Sequence, residues 1–173
     1  MLDAKEYWKK WSSNARNHRK KAHTLQTQNR LKIDTEVSCE TFLQIYKKTK
    51  VPHNLKRYLS QKTLHLAKDS KNVRFYLAYL DSVPLAGAFF LDDFPTSTYV
   101  VAFQDPKAKP YHLGLALIDR WFEESQKRGF VYLDFDHMRD TLDPYSYAGY
   151  TKFKSELADF QVRFPKVWLS VMM

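Results

Sequence analysis

"VRFYLAYLDSVPLAGAFFLDDFPTSTYVVAFQ", residues Val73–Gln104, decides how the chain is read. It divides into three apolar, β-branched and aromatic runs, "VRFYLAYLD", "PLAGAFFLDD" and "STYVVAFQ". Such residues fit a pleated, largely buried surface, and each run has strand length rather than helix length. The breaks, "DSVP" and "DDFPT", carry the Asp, Ser and Pro of tight turns. Short breaks join neighbouring strands that run in opposite directions, so the stretch predicts a three-stranded antiparallel meander.

On the C-terminal side the period changes. "PYHLGLALIDRWFEESQKRG" (Pro110–Gly129) places Leu113, Leu117, Ile118 and Trp121 on one side of a helix, with Gly129 as the residue that ends it. "FVYLDFD" reads as a buried strand, "DPYSYAGYTKFKSELA" as a short helix, and "DFQVRF" and "KVWLSVM" as final strands around Pro165. On the N-terminal side, "RLKIDTEV" alternates as a strand does, and Ser38 is placed to cap a helix carrying Phe42, Ile45 and Tyr46. Pro52 ends that helix, and "NLKRYLSQKTLHLAKD" reads as another. Residues 4–28 lack Pro and Gly and read as one helix with Tyr7, Trp8 and Trp11 on a shared face. The expected organisation is a basic helix over 1–29 and one domain over 30–173.

Composition bounds the function. The 173 residues, 44% hydrophobic and 16% aromatic, suffice for one globular core. A single cysteine, Cys39, excludes a disulfide within the chain and suggests a reducing compartment. No stretch reaches the length of a membrane span, and a soluble cytoplasmic protein is expected. Residues 1–72 hold 17 Lys/Arg against 6 Asp/Glu, and the remainder 11 against 13, so the net charge of +9 belongs to the N-terminal part. The cluster Arg16, Arg19, Lys20 and Lys21 therefore suggests a polyanionic partner, with a solvated helical face as the plain alternative. The six histidines show no metal-ligand spacing, and no metal is expected. Asp134 and Asp136 share a face and could meet an amine or a ribose, pair with Arg139, or cap the next helix. His137 could be a base at the end of the strand, but more often such a residue is a solvated loop histidine; Glu123 and Glu124 read as solvated, and Cys39 as structural.

The element order resembles the GNAT (N-acetyltransferase) fold: a first strand, two helices, a three-stranded meander, a long helix and a fifth strand. The implied fold class is a single α/β GNAT-like domain, its mixed and mainly antiparallel sheet flanked by helices and preceded by the basic helix. Three segments resemble more narrowly the second domain of the FemX/FemAB peptidoglycan-bridge aminoacyltransferases: Gly149-Tyr150-Thr151-Lys152-Phe153-Lys154, "KRGFVYLDFD" (Lys127–Asp136), and Arg16–Ala22. That resemblance implies aminoacyl transfer from aminoacyl-tRNA to an amine of a peptidoglycan precursor, with no other cofactor. Lys154 would be the catalytic cation near the oxyanion. Phe153 would line the donor channel, Tyr150, Asp134 and Asp136 would contact substrate, and Arg16, Arg19, Lys20 and Lys21 would contact tRNA. The family's first domain has no counterpart here, so a separate first GNAT-like domain or a homodimer partner would complete the enzyme.

Two other readings stay open. An acyl-CoA-dependent N-acyltransferase would hold the pyrophosphate of acetyl-CoA or acyl-CoA at His112, Leu113 and Gly114, where the long helix begins. The Gly-x-Ala of that loop is present as Gly114-Leu115-Ala116, but Tyr111 stands where acetyl-CoA users carry Gln or Arg, which predicts weak binding. A non-catalytic RNA- or nucleotide-binding remnant is the third reading. An accessible Lys154 further predicts that Lys154→Met leaves the melting temperature unchanged.

Overall fold

The computed structural model describes residues 6–49, 71–136 and 148–162, without the side chains of 148–150. Five strands form one sheet in the order β1 (Leu31–Asp34), β2 (Val73–Leu80), β3 (Val83–Asp93), β4 (Thr96–Gln104) and β5 (Tyr132–Asp134). The first four pair antiparallel in sequence order, and β5 pairs parallel to β4. The helices are α1 (Ser13–Thr27), α2 (Cys39–Lys48), α3 (Leu113–Lys127) and α4 (Ala148–Ser155). Two 3₁₀ helices, Tyr7–Lys10 and Pro106–Tyr111, precede α1 and α3.

The expected meander is present, and its turns are local chemistry. Asp81 and Ser82 both adopt positive φ, 48° and 68°, as a two-residue hairpin loop between right-twisted strands requires. Arg30 fixes that loop with two hydrogen bonds to the Asp81 carboxylate, 2.9 and 2.8 Å. The second turn uses Phe94–Pro95, joined by a cis peptide bond.

A register shift gives the sheet two distinct faces. Phe89 pairs with Val101 and Phe90 with Tyr99, which leaves Val100 as an extra residue on β4. One extra residue turns every later side chain to the opposite face. Tyr99 accordingly joins Tyr76, Ala78, Phe90 and Trp121 on the α1/α3 side. Val101 and Phe103 join Phe42, Tyr46, Phe75, Leu77 and Phe89 on the α2 side.

A buried polar knot ties the far end of the sheet to α3. Arg74 donates to Tyr76 Oη (2.9 Å), Asp92 Oδ1 (2.8 Å), Ser97 Oγ (2.9 Å) and Ser125 Oγ (2.9 Å). Trp121 Nε1 donates to the same Ser97 oxygen at 2.8 Å. A charge this deep is tolerable only when its donors are used, and here one guanidinium joins β2, β3, β4 and α3.

Four readings of the sequence need correction. The N-terminal helix is broken at Trp11–Ser12: Trp11 is extended, and the Ser12 hydroxyl accepts from Ala15 N at 3.1 Å, so Ser12 restarts the helix as its cap. The first strand ends at Asp34 rather than Val37, where Asp34 accepts from Glu36 N in a local turn. "FVYLDFD" is not a buried strand, because only Tyr132–Asp134 pair and Tyr132 is 54% exposed. Residues 159–162 of "DFQVRF" are not strand; they follow α4 in irregular conformation. "NLKRYLSQKTLHLAKD", Pro52 and "KVWLSVM" lie outside the described residues.

Close packing on the α2 face makes Gly87 a sensitive position. A Cβ there would stand 2.4 Å from Phe103 Cε1 and 2.9 Å from Phe42 Cε2. Gly87→Ala should therefore lower unfolding stability by roughly 1–3 kcal/mol through overpacking. In urea denaturation, Phe103→Leu in the same chain should recover part of that loss; a Gly87→Ala protein as stable as the parent would refute the close approach.

Candidate active site

The parallel contact between β4 and β5 is short. It covers Thr96–Thr98 against Tyr132–Asp134, whereas β4 continues six residues further, to Gln104. Beyond Thr98, β4 has no strand partner on that side among the described residues. Among the described residues, that edge of β4 therefore lacks a strand partner from the carboxyl end of β5 onward. The bulge at Val100 lies in the same stretch.

Lys154 projects from α4 to this end of β5. The side chain is 0% exposed, neither in an open groove nor on the outer face. Burial pulls its ammonium down to about 8, against the opposing pull of the Asp136 and Asp134 carboxylates. Those two residues are shaped by the turn after β5. Asp134 Oδ1 accepts from Asp136 N at 2.8 Å, and Asp136 takes φ 60°, a left-handed conformation Asp tolerates better than bulkier residues do. Between them, Phe135 points inward onto Tyr99, Trp121 and Phe122. The alternation Asp-Phe-Asp thus anchors the turn by its aromatic and leaves two carboxylates at the surface. Phe153 is half-buried against the same core as Leu157, and the Tyr150 side chain lies outside the description.

The beginning of α3 lies at the other end of β4, beside Gln104. His112 caps the helix in left-handed conformation, φ 56°, without a side-chain bond to it. Gly114, in the first turn, faces Gln104 at the end of β4: a Cβ would meet Gln104 Oε1 at 3.0 Å. His18 of α1 stacks on His112 with ring centroids 3.7 Å apart and planes inclined by 12°. Burial first, and then His18 and Lys21 nearby, lower the His112 pKa and favour its neutral ring. First-turn amides, a small residue and basic neighbours fit a phosphate group, although Tyr111 replaces the cation or amide expected before them.

The basic helix divides its charges. Arg16 donates to the carbonyls of Lys9 (2.9 Å) and Trp11 (3.1 Å) and so closes the 3₁₀ segment. Arg19 turns inward, its Nε 2.7 Å from Asp119 Oδ1 and its guanidinium 5.1 Å from the Trp8 ring centroid. Lys20 and Lys21 are exposed. The sequence reading missed Asp119, Tyr7, His23 and His18. Asp119 was visible as a carboxylate on the apolar side of α3, four residues after Leu115 and three before Phe122. His23, Asp119 and Glu123 offer ligand atoms all within 4.8 Å of one another, but Arg19 on the same carboxylate opposes a second cation.

The sequence profile of the acetyltransferase (GNAT) domain matches residues 9–155. The chain belongs to the acetyltransferase (GNAT) domain family. Solved structures agree in fold. An aminoglycoside acetyltransferase from an uncultured soil metagenomic sample shares 16% identity at a TM-score of 0.55, covering 83% of this chain and 98% of its own. The ribosomal-protein-alanine N-acetyltransferase of Brucella melitensis biovar Abortus 2308 shares 12% at 0.56, with 81% and 99% covered. AAC(6')-Iy, in complex with the bisubstrate analogue CoA-S-monomethyl-acetylneamine, shares 12% at 0.56, with 82% and 99% covered. No curated protein matches in sequence. No helix among the described residues is long and apolar enough to cross a membrane.

The burial of Lys154 has a thermodynamic signature. Its folded pKa, about 8, lies below the ordinary 10.5, so burial opposes folding whenever the group is charged in both states. Between about 8 and 10.5 the unfolded chain holds a proton that the folded one has lost, and stability rises with pH. Lys154→Met should thus be more stable than the parent below pH 8, by up to roughly 3 kcal/mol at about 1.4 kcal/mol per pKa unit. The advantage should shrink as pH rises towards 10.5. Melting curves across that window check it; a pH-independent difference would contradict the burial. The sequence expectation of an unchanged melting temperature is revised accordingly.

Proposed function

We propose that the chain is an acyl-CoA-dependent N-acyltransferase acting on an amine. The observation that carries this is the half of β4 that has no strand partner on its β5 side among the described residues, bounded by the first turn of α3 at one end and by Lys154 with Asp134 and Asp136 at the other. Family membership supports it, as does the presence of a CoA-containing bisubstrate analogue on a protein of similar fold. An acyl-CoA is thereby favoured over aminoacyl-tRNA as the donor. Gly114 and the amides of Leu113 and Gly114 would take the donor pyrophosphate, with Lys21 adding positive charge and the His112 ring, held neutral by burial, beside it.

In the reaction a neutral amine attacks the thioester carbonyl, the carbon–sulfur bond breaks, and the amine proton is lost as the thiol gains one. Lys154 supplies an ammonium in a low-dielectric position, where it can stabilise the developing oxyanion. Asp134 and Asp136 attract a cationic acceptor to the mouth of the site. Aminoacyl transfer from tRNA remains a second reading on one observation, that Lys154 lies at the end of β5. In that reading Lys20 and Lys21 contact the tRNA and a peptidoglycan precursor accepts the aminoacyl group; a separate first domain or a second copy would complete the enzyme.

Calorimetry with acetyl-CoA separates the two donors. Saturable binding to the parent, weakened at least about tenfold by Gly114→Glu, is the expected result. Absence of binding would return the aminoacyl-tRNA reading to first place. For the charge of Lys154 the test is the ratio of parent kcat to that of Lys154→Met, which cancels the titration of the acceptor itself. The ratio should be high below about pH 8 and fall as Lys154 loses its proton. A rising ratio would instead mean that neutral Lys154 serves as a base.

A further inference from the structure

The N-terminal segment does more than precede the domain. Tyr7 and Trp11 pack on Phe122 of α3, with ring centroids 5.0 and 5.4 Å away. Tyr7 Oη donates to Asp119 Oδ1 at 2.6 Å. From that anchorage the chain reaches α4. Ser12 N donates to the Glu156 carbonyl at 2.9 Å, Asn14 Nδ2 lies 3.3 Å from Glu156 Oε2, and Lys10 Nζ lies 3.0 Å from Asp159 Oδ2. Glu156 is two residues beyond Lys154. The carbonyl of Lys154 accepts from Leu157 N and Ala158 N at 3.1 and 3.0 Å, so the pinned turn is the one that carries the lysine.

We propose that residues Tyr7–Asn14 act as a strap that positions Lys154, holding the last turn of α4 against α3 so that the ammonium stays in its place beside Asp134 and Asp136. The strap runs from the first 3₁₀ helix into the start of α1, and it joins two elements that the sheet does not join directly. Ser12 is the pivot. Its hydroxyl caps α1, its carbonyl accepts from Arg16 N at 3.0 Å, and its N–H is given to α4. One residue therefore caps α1 and ties its start to Glu156, the residue that follows α4. The importance of Lys154 rests on the function proposed above; its placement by the strap does not.

The conformation at the pivot permits a clean test. Ser12 has φ −54°, within the range of proline, and Trp11 is extended at φ −67° and ψ 155°, as the residue before a proline prefers. Ser12→Ala removes the cap and keeps the N–H. Ser12→Pro removes both and adds no charge. Lysine labelled with 13C at Cε, in the full chain without acyl donor, reports the titration of Lys154, assigned by the signal missing in Lys154→Met. In the parent and in Ser12→Ala the midpoint should stay near 8. In Ser12→Pro it should move up by about half a unit or more as the ammonium gains solvent. Should Ser12→Pro fail to fold, Lys10→Met/Asn14→Ala carries the same test, with a shift in the same direction. An unmoved midpoint in folded Ser12→Pro, or in the double variant if Ser12→Pro does not fold, overturns the proposal. Because no substrate is present, a wrong donor or an inactive enzyme leaves this readout intact.

Discussion

The Asp119 carboxylate governs how the rest of the molecule is put together. It sits on the inner side of α3, nearly inaccessible, in a position that an unpaired charge could not occupy without a large desolvation cost. Three donors meet it: Tyr7 Oη at 2.6 Å, Arg19 Nε at 2.7 Å and His23 Nε2 at 2.8 Å. All three come from the N-terminal segment and α1. Burial and the adjacent carboxylate push the Tyr7 phenol far above its ordinary value, so it remains a donor. The packing of the N-terminal elements on α3 is thus specified by a polar requirement as well as by the Trp11 and Phe122 rings. Removing one donor would leave the carboxylate under-satisfied, and such losses exceed the value of a surface pair.

The sheet works under a second constraint. Among the described residues β4 accompanies β5 over three residues only, and the bulge at Val100 follows directly in the stretch without a strand partner on that side. The bulge also assigns Tyr99 to the α3 core and Val101 and Phe103 to the α2 core. One inserted residue therefore serves the packing on both faces. Phe135 completes the arrangement by fastening the end of β5 to Trp121 while Asp134 and Asp136 stay outward.

The meander, α2 with its Ser38 cap, and α3 with Gly129 at its end were legible because each is written in local chemistry: strand-length apolar runs, a capping hydroxyl, a residue free to take φ 80°. What was not legible depends on tertiary partners. The helix over 4–28 shows no Pro or Gly, and its interruption at Ser12 is set by bonds to Glu156, 144 positions away in sequence. "FVYLDFD" has a strand composition, but its pairing is limited by how far β4 accompanies it. The basic run Arg16–Lys21 reads as one positive face, yet Arg19 is consumed by Asp119, which no spacing within α1 could reveal. For Lys154, the motif pointed to the correct end of β5 and missed the burial.

That burial changes what the lysine is. A solvated ammonium near a strand end contributes little to a transition state, because water already screens it and must be displaced for it to act. A covered one is costly to keep charged, and the cost appears as its pKa of about 8. The carboxylates of Asp136 and Asp134 offset part of that cost. The balance leaves a group that is mostly protonated near neutrality and poised to change state within reach of physiological pH. A fold selected for stability alone would put methionine or leucine at position 154. Under the function proposed above, a buried lysine beside two exposed carboxylates would exchange stability for electrostatic preorganisation.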